Sequence, residues 1–388
     1  MQTQIDQILS EVVDSGSLSG VAAVICNSQG EVYQGGFGQT GVEGTTFSVD
    51  TVAAIASMTK ALTGVAAMQL VEAGRLDLDA PAGEICPYLG DAQVLDGFAD
   101  DGTPVLRAPE RAVTLRHLLT HTSGFVYDMW NAQMGQYAAK VGLPGLFSLQ
   151  KAALRAPLLF DPGERWEYGI GIDWAGQMVE ALTGQSLGEY FKAHVTGPMG
   201  MLDTGFTPTQ TMARRMSAIM ARLPDGSLAP SPALSDPAGP QPEFEMGGGG
   251  LLSTTRDYAK FLRMMLRRGE LEGNRILSPE TVHRMASNQM GDLRVRELIS
   301  TNPALTNNAE FFPGLEKSWG LTFQINEAPA PTGRPAGGLM WAGLTNCYYW
   351  IDLENDVAGV FITQLFPFAD RAALDVYYRM ETAVYDTL

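Results

Sequence analysis

A β-hairpin with a helix beside it stands at each end of this 388-residue chain, and that pairing constrains the fold more than any other feature. Val21 to Cys26, an Asn27-Ser28-Gln29-Gly30 turn and Glu31 to Gln34 read as two strands, preceded by Ile5, Ile8, Leu9, Val12 and Val13 at helical spacing. Tyr348 to Leu353, a Glu354-Asn355-Asp356 turn and Val357 to Gln364 form the second hairpin, followed by a helix over Ala369 to Tyr385. Neither hairpin with one helix can cover both faces of a sheet. The two ends are therefore expected to join in one antiparallel sheet covered by both helices, with the middle of the chain as an excursion.

The excursion is mostly helical in pattern. One helix is expected from about Ser57 to Ala73, stopping at Gly74, and a short one over Leu115 to Leu119, ahead of His121-Thr122-Ser123-Gly124. Another runs from Asp173, read as its N-cap, to Thr183, and Ser186 to Glu189 form a capping box for the next. The segment from Thr254 carries Tyr258, Phe261, Leu262, Met265 and Leu266 on one face. Residues 224–250, with six prolines and a closing Gly247 to Gly250, and residues 291–317 are irregular; loops of that length read as lids or binding loops, with linkers as the alternative.

With 45% apolar residues the chain can bury a large core, and a net charge of −17 repels phosphate backbones and anionic lipid. Nucleic acid and membrane are thus not expected as partners. Cys26, Cys86 and Cys347 form no CxxC pair and no histidine stands at ligand spacing, so they read as reduced core residues with no metal site. The N-terminus lacks a basic, then apolar, leader and no run of 18 apolar residues occurs, which points to a cytoplasmic protein. Gly36 to Gly41 matches GxGxxG, but no helical period follows, so it reads as a glycine-rich turn. No GxSxG occurs. His117 and His121, near Ser123, read as a helix end whose polar groups cap neighbours rather than as part of a triad.

SxxK occurs twice, at Ser57 to Lys60 and at Ser148 to Lys151. In the first turn of a helix the two side chains share a face, so the lysine can hold the serine hydroxyl and, with a lowered pKa, take its proton. The helix N-terminus adds partial positive charge beside the nucleophile. Ser148 reads as an N-cap for the helix that follows. Ser57 differs, because an apolar lead carries it directly into a long apolar helix.

Here a resemblance becomes specific. The blocks AIASMTKALTG, HLLTHTSGF, FDPGERWEYG, GPMGMLDTGF, GGGGLLSTTRDYAKFL and WAGLTNCYYWID, in this order, resemble the serine β-lactamase and penicillin-binding-protein superfamily. Within it they are most similar to the family VIII carboxylesterases, which resemble class C β-lactamases. The resemblance implies an α+β fold in which an antiparallel sheet lies between helices, with an inserted, mainly helical domain. Residues 1–65, 164–197 and 301–388 are then expected in the sheet domain and 66–163 and 198–300 in the helical one, with the active site at the seam.

Carried over by position, the resemblance makes Ser57 the nucleophile, Lys60 its activating partner and Tyr168 the proton relay to the leaving group. Tyr168 lies 111 positions after Ser57 (168 − 57), a separation typical of the family, and only 20 after Ser148 (168 − 148). Trp341-Ala342-Gly343 takes the place of the KTG strand, and the amides of Ser57 and Leu344 would form the oxyanion hole. Phe125, Tyr127, Ile170 and the Trp341 to Gly343 strand are expected at the substrate, with Trp130, Trp166 and Phe244 as further aromatic candidates.

Two positions depart from the family pattern. Ile170 stands where an asparagine or serine follows the tyrosine, and Trp341 replaces the KTG lysine. An indole offers an apolar wall and one N–H in place of a cation, so a carboxylate-bearing substrate loses a bond of about 1.5–3 kcal/mol, and a neutral ester loses nothing. The expectation is a cofactor-free serine carboxylesterase acting on short- to medium-chain neutral esters as its small-molecule partner. A β-lactamase, D-amino-acid peptidase, amidase or acyltransferase on the same scaffold is the alternative, and a catalytically silent binding scaffold the reading from another class.

Overall fold

Seven antiparallel strands form the central sheet of the computed structural model, which describes residues 1–231 and 241–388. They are β1 (Gly20–Cys26), β2 (Glu31–Gly38), β3 (Lys317–Trp319), β4 (Gln324–Asn326), β5 (Leu339–Gly343), β6 (Cys347–Asp352) and β7 (Val357–Ile362), and they lie in the order β3-β4-β5-β6-β7-β1-β2. The two terminal hairpins are neighbours, joined where Val24 of β1 faces Val360 of β7.

Helices cover both faces, as alternation along β6 shows. Tyr348 packs on Tyr377 of the C-terminal helix, ring centroids 5.0 Å apart, whereas the next residue, Tyr349, packs on Tyr258 at 5.2 Å from the opposite side. With helices on both sides, every residue of β1 is buried and the strand reads as a continuous apolar run. The first helix α1 (Gln2–Asp14) buries Ile5, Ile8, Leu9 and Val12, and packs beside the last helix α6 (Arg371–Tyr385). The facing layer is α5 (Thr255–Leu266), capped by the Thr254 hydroxyl. The three cysteines are buried and unpaired.

The helical excursion contains α2 (Thr59–Glu72), α3 (Leu115–Leu119) and α4 (Gly171–Thr183). Several details differ from the sequence reading. The segment 164–197 supplies no strand to the sheet. Its backbone ahead of α4 bonds to the loop after α3, with Tyr127 N donating to Tyr168 O at 3.3 Å and Glu167 N to His121 O at 2.9 Å, and α4 packs on α2 and α3. Helix α4 is capped three residues earlier than expected, at Ile170, so Asp173 lies inside it rather than at its N-cap. Ser148 closes one 3-10 turn, Leu146–Ser148, and Lys151 opens another, so no helix is capped there. Gly36 lies within β2, where a Cβ would meet Ser48 Cα at 2.6 Å; the GxGxxG match is a strand passing close to its neighbour. The proline-rich loop falls partly, over 232–240, outside the described residues. No helix among the described residues is long and apolar enough to cross a membrane.

Candidate active site

The apolar lead Val52 to Ile55 ends in a 3-10 turn, Ala56–Met58, with Ser57 at its centre and α2 directly behind. Ala56 has φ +43°, a left-handed conformation uncommon outside glycine, and the surroundings hold it there. Thr345 Oγ1 and Gln364 Nε2 donate to Ala54 O at 2.7 and 3.0 Å, and Tyr258 OH donates to Met58 O at 3.0 Å. Strand β5 passes beside this turn because Gly343 lets it: a Cβ there would lie 2.3 Å from Ile55 O. Leu344 thereby reaches the cavity that Ser57 lines.

Lys60, the second residue of α2, is fully buried and as an ammonium uses its three donors at once. They go to Ser57 Oγ at 3.1 Å, Tyr127 OH at 3.0 Å and Gly248 O at 2.5 Å. The same nitrogen lies 4.7 Å from the centroid of the Tyr168 ring. Burial pushes the Lys60 pKa down, and the charge of Asp173 opposes that shift. Burial raises the Tyr168 phenol, against hydrogen bonds from Ser57 and from Trp341, whose indole Nε1 donates to the phenolic oxygen at 2.9 Å. A serine hydroxyl thus stands between a lysine that gives up its proton readily and a tyrosine that keeps its own, an arrangement suited to nucleophilic attack with proton transfer on either side.

The family model described as Beta-lactamase matches residues 5–384. The chain belongs to the beta-lactamase family. It is 32% identical over 347 residues to the monacolin J acid methylbutanoyltransferase of Aspergillus terreus, covering 87% of this chain and 82% of that one. It is 30% identical to the lovastatin esterase of Penicillium rubens, covering 92% and 91%. Among solved structures, unliganded simvastatin synthase (LovD) from Aspergillus terreus superposes with a TM-score of 0.85 at 28% identity, over 99% of this chain and 98% of that one. EstCE1, a hydrolase with promiscuous acyltransferase activity, shares the fold at a TM-score of 0.78 and 21% identity, over 99% and 98%. This beta-lactamase-family chain is accordingly an enzyme of the serine hydrolase and acyl-transfer type, with the family's mixed helical and antiparallel-sheet fold.

Within this family scaffold the residues expected at the substrate divide into groups. Ser57, Tyr127 and Leu344 line one cavity of about 330 Å³, with Trp130, Met129 and Phe147 among its apolar walls. Ile170 lies outside it, on a neighbouring cavity of about 410 Å³ that Tyr127 also borders. Phe125 lines neither of these two cavities and packs on Trp174 at 6.2 Å; Trp166 packs on Trp319 at 5.5 Å. Trp341, Ala342 and Gly343 are buried in β5 and absent from the 330 Å³ cavity wall, while Phe244 is buried away from it. Ser148 Oγ accepts from Gln150 N at 3.4 Å, and Lys151 is exposed, so the second SxxK forms no serine–lysine pair.

His117 and His121 bond to backbone groups, but not as caps at the end of α3. His117 completes a capping box with Thr114 at the start of α3. His121 Nδ1 accepts from Gly169 N at 3.3 Å, and its ring packs 4.5 Å from that of Tyr168. Burial holds its pKa well below the ordinary histidine value, so it acts as a neutral prop for the tyrosine segment. Sequence reasoning missed Asp173 and Gly248. Asp173 Oδ1 accepts from Gly248 N at 2.8 Å, and the signal available was one acid amid an otherwise apolar stretch, Ile172-Asp173-Trp174-Ala175. Among the described residues no group of three or more His, Cys, Asp or Glu side chains is placed to hold a metal ion.

Proposed function

We propose that this enzyme is a serine carboxylesterase for short- to medium-chain neutral esters, working through an acyl group on Ser57. Once the Lys60 ammonium has lost a proton to solvent, Ser57 Oγ attacks the ester carbonyl carbon while its own proton passes to the freed lone pair of Lys60 Nζ. The carbonyl oxygen, now negative, is received by the amides of Ser57 and Leu344. Tyr168 delivers a proton to the departing alcohol oxygen; when water attacks the acyl-enzyme, its proton passes to Tyr168, and the proton held on Lys60 returns to Ser57 Oγ as the acid leaves. The observation that carries this reading is the buried Lys60 nitrogen 3.1 Å from the Oγ of Ser57, a residue that lines an apolar cavity.

Neutral substrates are favoured because no cation is available to a carboxylate. Among the described residues no Lys, Arg, Asp or Glu side chain lines the 330 Å³ cavity. The Trp341 N–H is already used on Tyr168. Arg334, the nearby arginine most able to take over the role, is fully buried 3.3 Å from Glu381, and Lys317 is buried on Glu310 and the carbonyls of Phe311 and Phe312. Acyl transfer to an alcohol is the second reading, favoured by the transferase named among the relatives and by a cavity wall that disfavours water. Ser57→Ala is expected to abolish turnover of p-nitrophenyl butyrate, and parental activity in that variant overturns the reading. Turnover of nitrocefin above that of the ester would reverse the order of substrates. Added alcohol, assayed for new ester against free acid, decides between water and alcohol as acceptor.

A further inference from the structure

Ile170 cannot supply the side-chain amide that the family pattern places beside the lysine, yet Lys60 is held firmly. The substitute comes from α4 and the glycine run together. Gly248 is held through both of its backbone groups: its carbonyl accepts from Lys60 Nζ at 2.5 Å, and its N–H, in the preceding peptide, donates to Asp173 Oδ1 at 2.8 Å. The contact is so close that a Cβ on Gly248 would lie 2.4 Å from Asp173 Oδ2. Neighbouring bonds fix the same strip, with Thr63 Oγ1 donating to Gly247 O at 2.7 Å and Leu251 N to Thr59 Oγ1 at 3.1 Å. Asp173 itself is fully buried, and its Oδ2 has no hydrogen-bond partner among the described residues. A buried carboxylate so sparsely bonded requires a countercharge nearby. Around Lys60 the titratable groups are Tyr127 and His121 from the segment after α3, Tyr168 from the segment before α4, and Asp173 from α4; Asp173 alone among them carries negative charge at neutral pH.

We infer that Asp173 is the positioning residue of the Ser57–Lys60 pair: it anchors Gly248, whose carbonyl receives the lysine, and supplies the countercharge that stabilises the ammonium formed on acylation. The inference rests on the acyl-enzyme reading above. In that step the Ser57 O–H bond breaks and its proton joins the lone pair of neutral Lys60 Nζ. Oγ bonds to the carbonyl carbon, and the carbonyl π pair moves to oxygen. The new ammonium then lies in the field of the Asp173 carboxylate, across Gly248. Asp173 thus raises the lysine's proton affinity against the opposite pull of burial.

The test is the pH dependence of Ser57 phosphonylation by a fluorophosphonate probe, in which Oγ bonds to phosphorus and fluoride leaves, read by mass spectrometry on parent, Asp173→Asn and Asp173→Ser. Asparagine keeps an oxygen for Gly248 N–H and removes only the charge. In the variants the acid limb is expected to move to lower pH by about one pH unit or more, because the opposing charge is lost, while the plateau rate falls roughly tenfold. A lower plateau with an unmoved limb is what a structural role alone produces, and it overturns the inference. If asparagine unfolds the protein, serine is read in the same way; failure of both to fold assigns Asp173 to the fold and overturns it as well. If the parent itself is not labelled on Ser57, the acyl-enzyme reading fails first, and that outcome is distinct from an unmoved limb.

Discussion

Replacing Trp341 by phenylalanine removes one hydrogen bond from the site and leaves most of an aromatic side chain in place. The indole donates to Tyr168 Oη at 2.9 Å, and its ring packs on Trp319 at 4.6 Å and Phe311 at 5.8 Å, contacts that a phenyl ring largely preserves. With a neutral phenol as acceptor such a bond contributes about 0.5–1.5 kcal/mol, and with a charged acceptor about 1.5–3 kcal/mol. Only the difference accelerates the reaction, since binding the ground state equally well leaves kcat unchanged. As Tyr168 gives its proton to the leaving alcohol, its oxygen gains charge, and the bond strengthens by about 1–1.5 kcal/mol. The expected loss in kcat is therefore roughly 5- to 12-fold, with KM little changed. The smaller ring also leaves a buried gap that costs about 1–3 kcal/mol of stability, so kcat is measured well below the melting temperature of the variant. Hydrolysis of p-nitrophenyl butyrate is followed in parent, Trp341→Phe, Tyr168→Phe and the double variant. The tryptophan effect should vanish in the Tyr168→Phe background, because the bond has no acceptor there. An undiminished kcat in Trp341→Phe, or the same loss in both backgrounds, would refute the reasoning.

Three further outcomes are expected. Burial lowers the Lys60 pKa to about 7, so kcat/KM should rise with pH through that value as the amine loses its proton, then level off; activity already at its plateau at pH 5 would be incompatible with lysine as the acceptor. Neutral butyrate esters should exceed hemisuccinate esters of the same alcohol about tenfold or more in kcat/KM, and equal rates would mean that a cation reaches the cavity after all. Arg334→Met should destabilise the protein by about 3–5 kcal/mol, because it strands the fully buried Glu381, while leaving the ratio of neutral to anionic ester turnover unchanged. Denaturant unfolding checks the first half, and a changed ratio would return Arg334 to the substrate.

What the sequence determined by itself was everything carried by local periodicity and local chemistry. The terminal hairpins and helices, the start of the nucleophile helix near Ser57, the capping box at Ser186 and the amphipathic helix after Thr254 all follow from spacing within a dozen or so residues. The Ser57–Lys60 contact belongs here too, because a helix turn brings the two residues together wherever it sits. Tertiary structure alone decided what surrounds that pair. Lys60 meets Tyr127 across 67 positions and Gly248 across 188, and no short pattern records contacts of that range. Asp173 reads in sequence as an N-cap, since a lone acid at a helix start satisfies that rule; only the arrival of Gly248 gives its carboxylate a different partner. Tyr168 reads as a return to the sheet, yet its backbone is already bonded to the loop after α3. Trp341 was visible as the loss of a cation, but not as a donor committed to Tyr168. Periodicity fixes which face of an element is buried, whereas the polar partner waiting on that face depends on segments brought in from elsewhere in the chain.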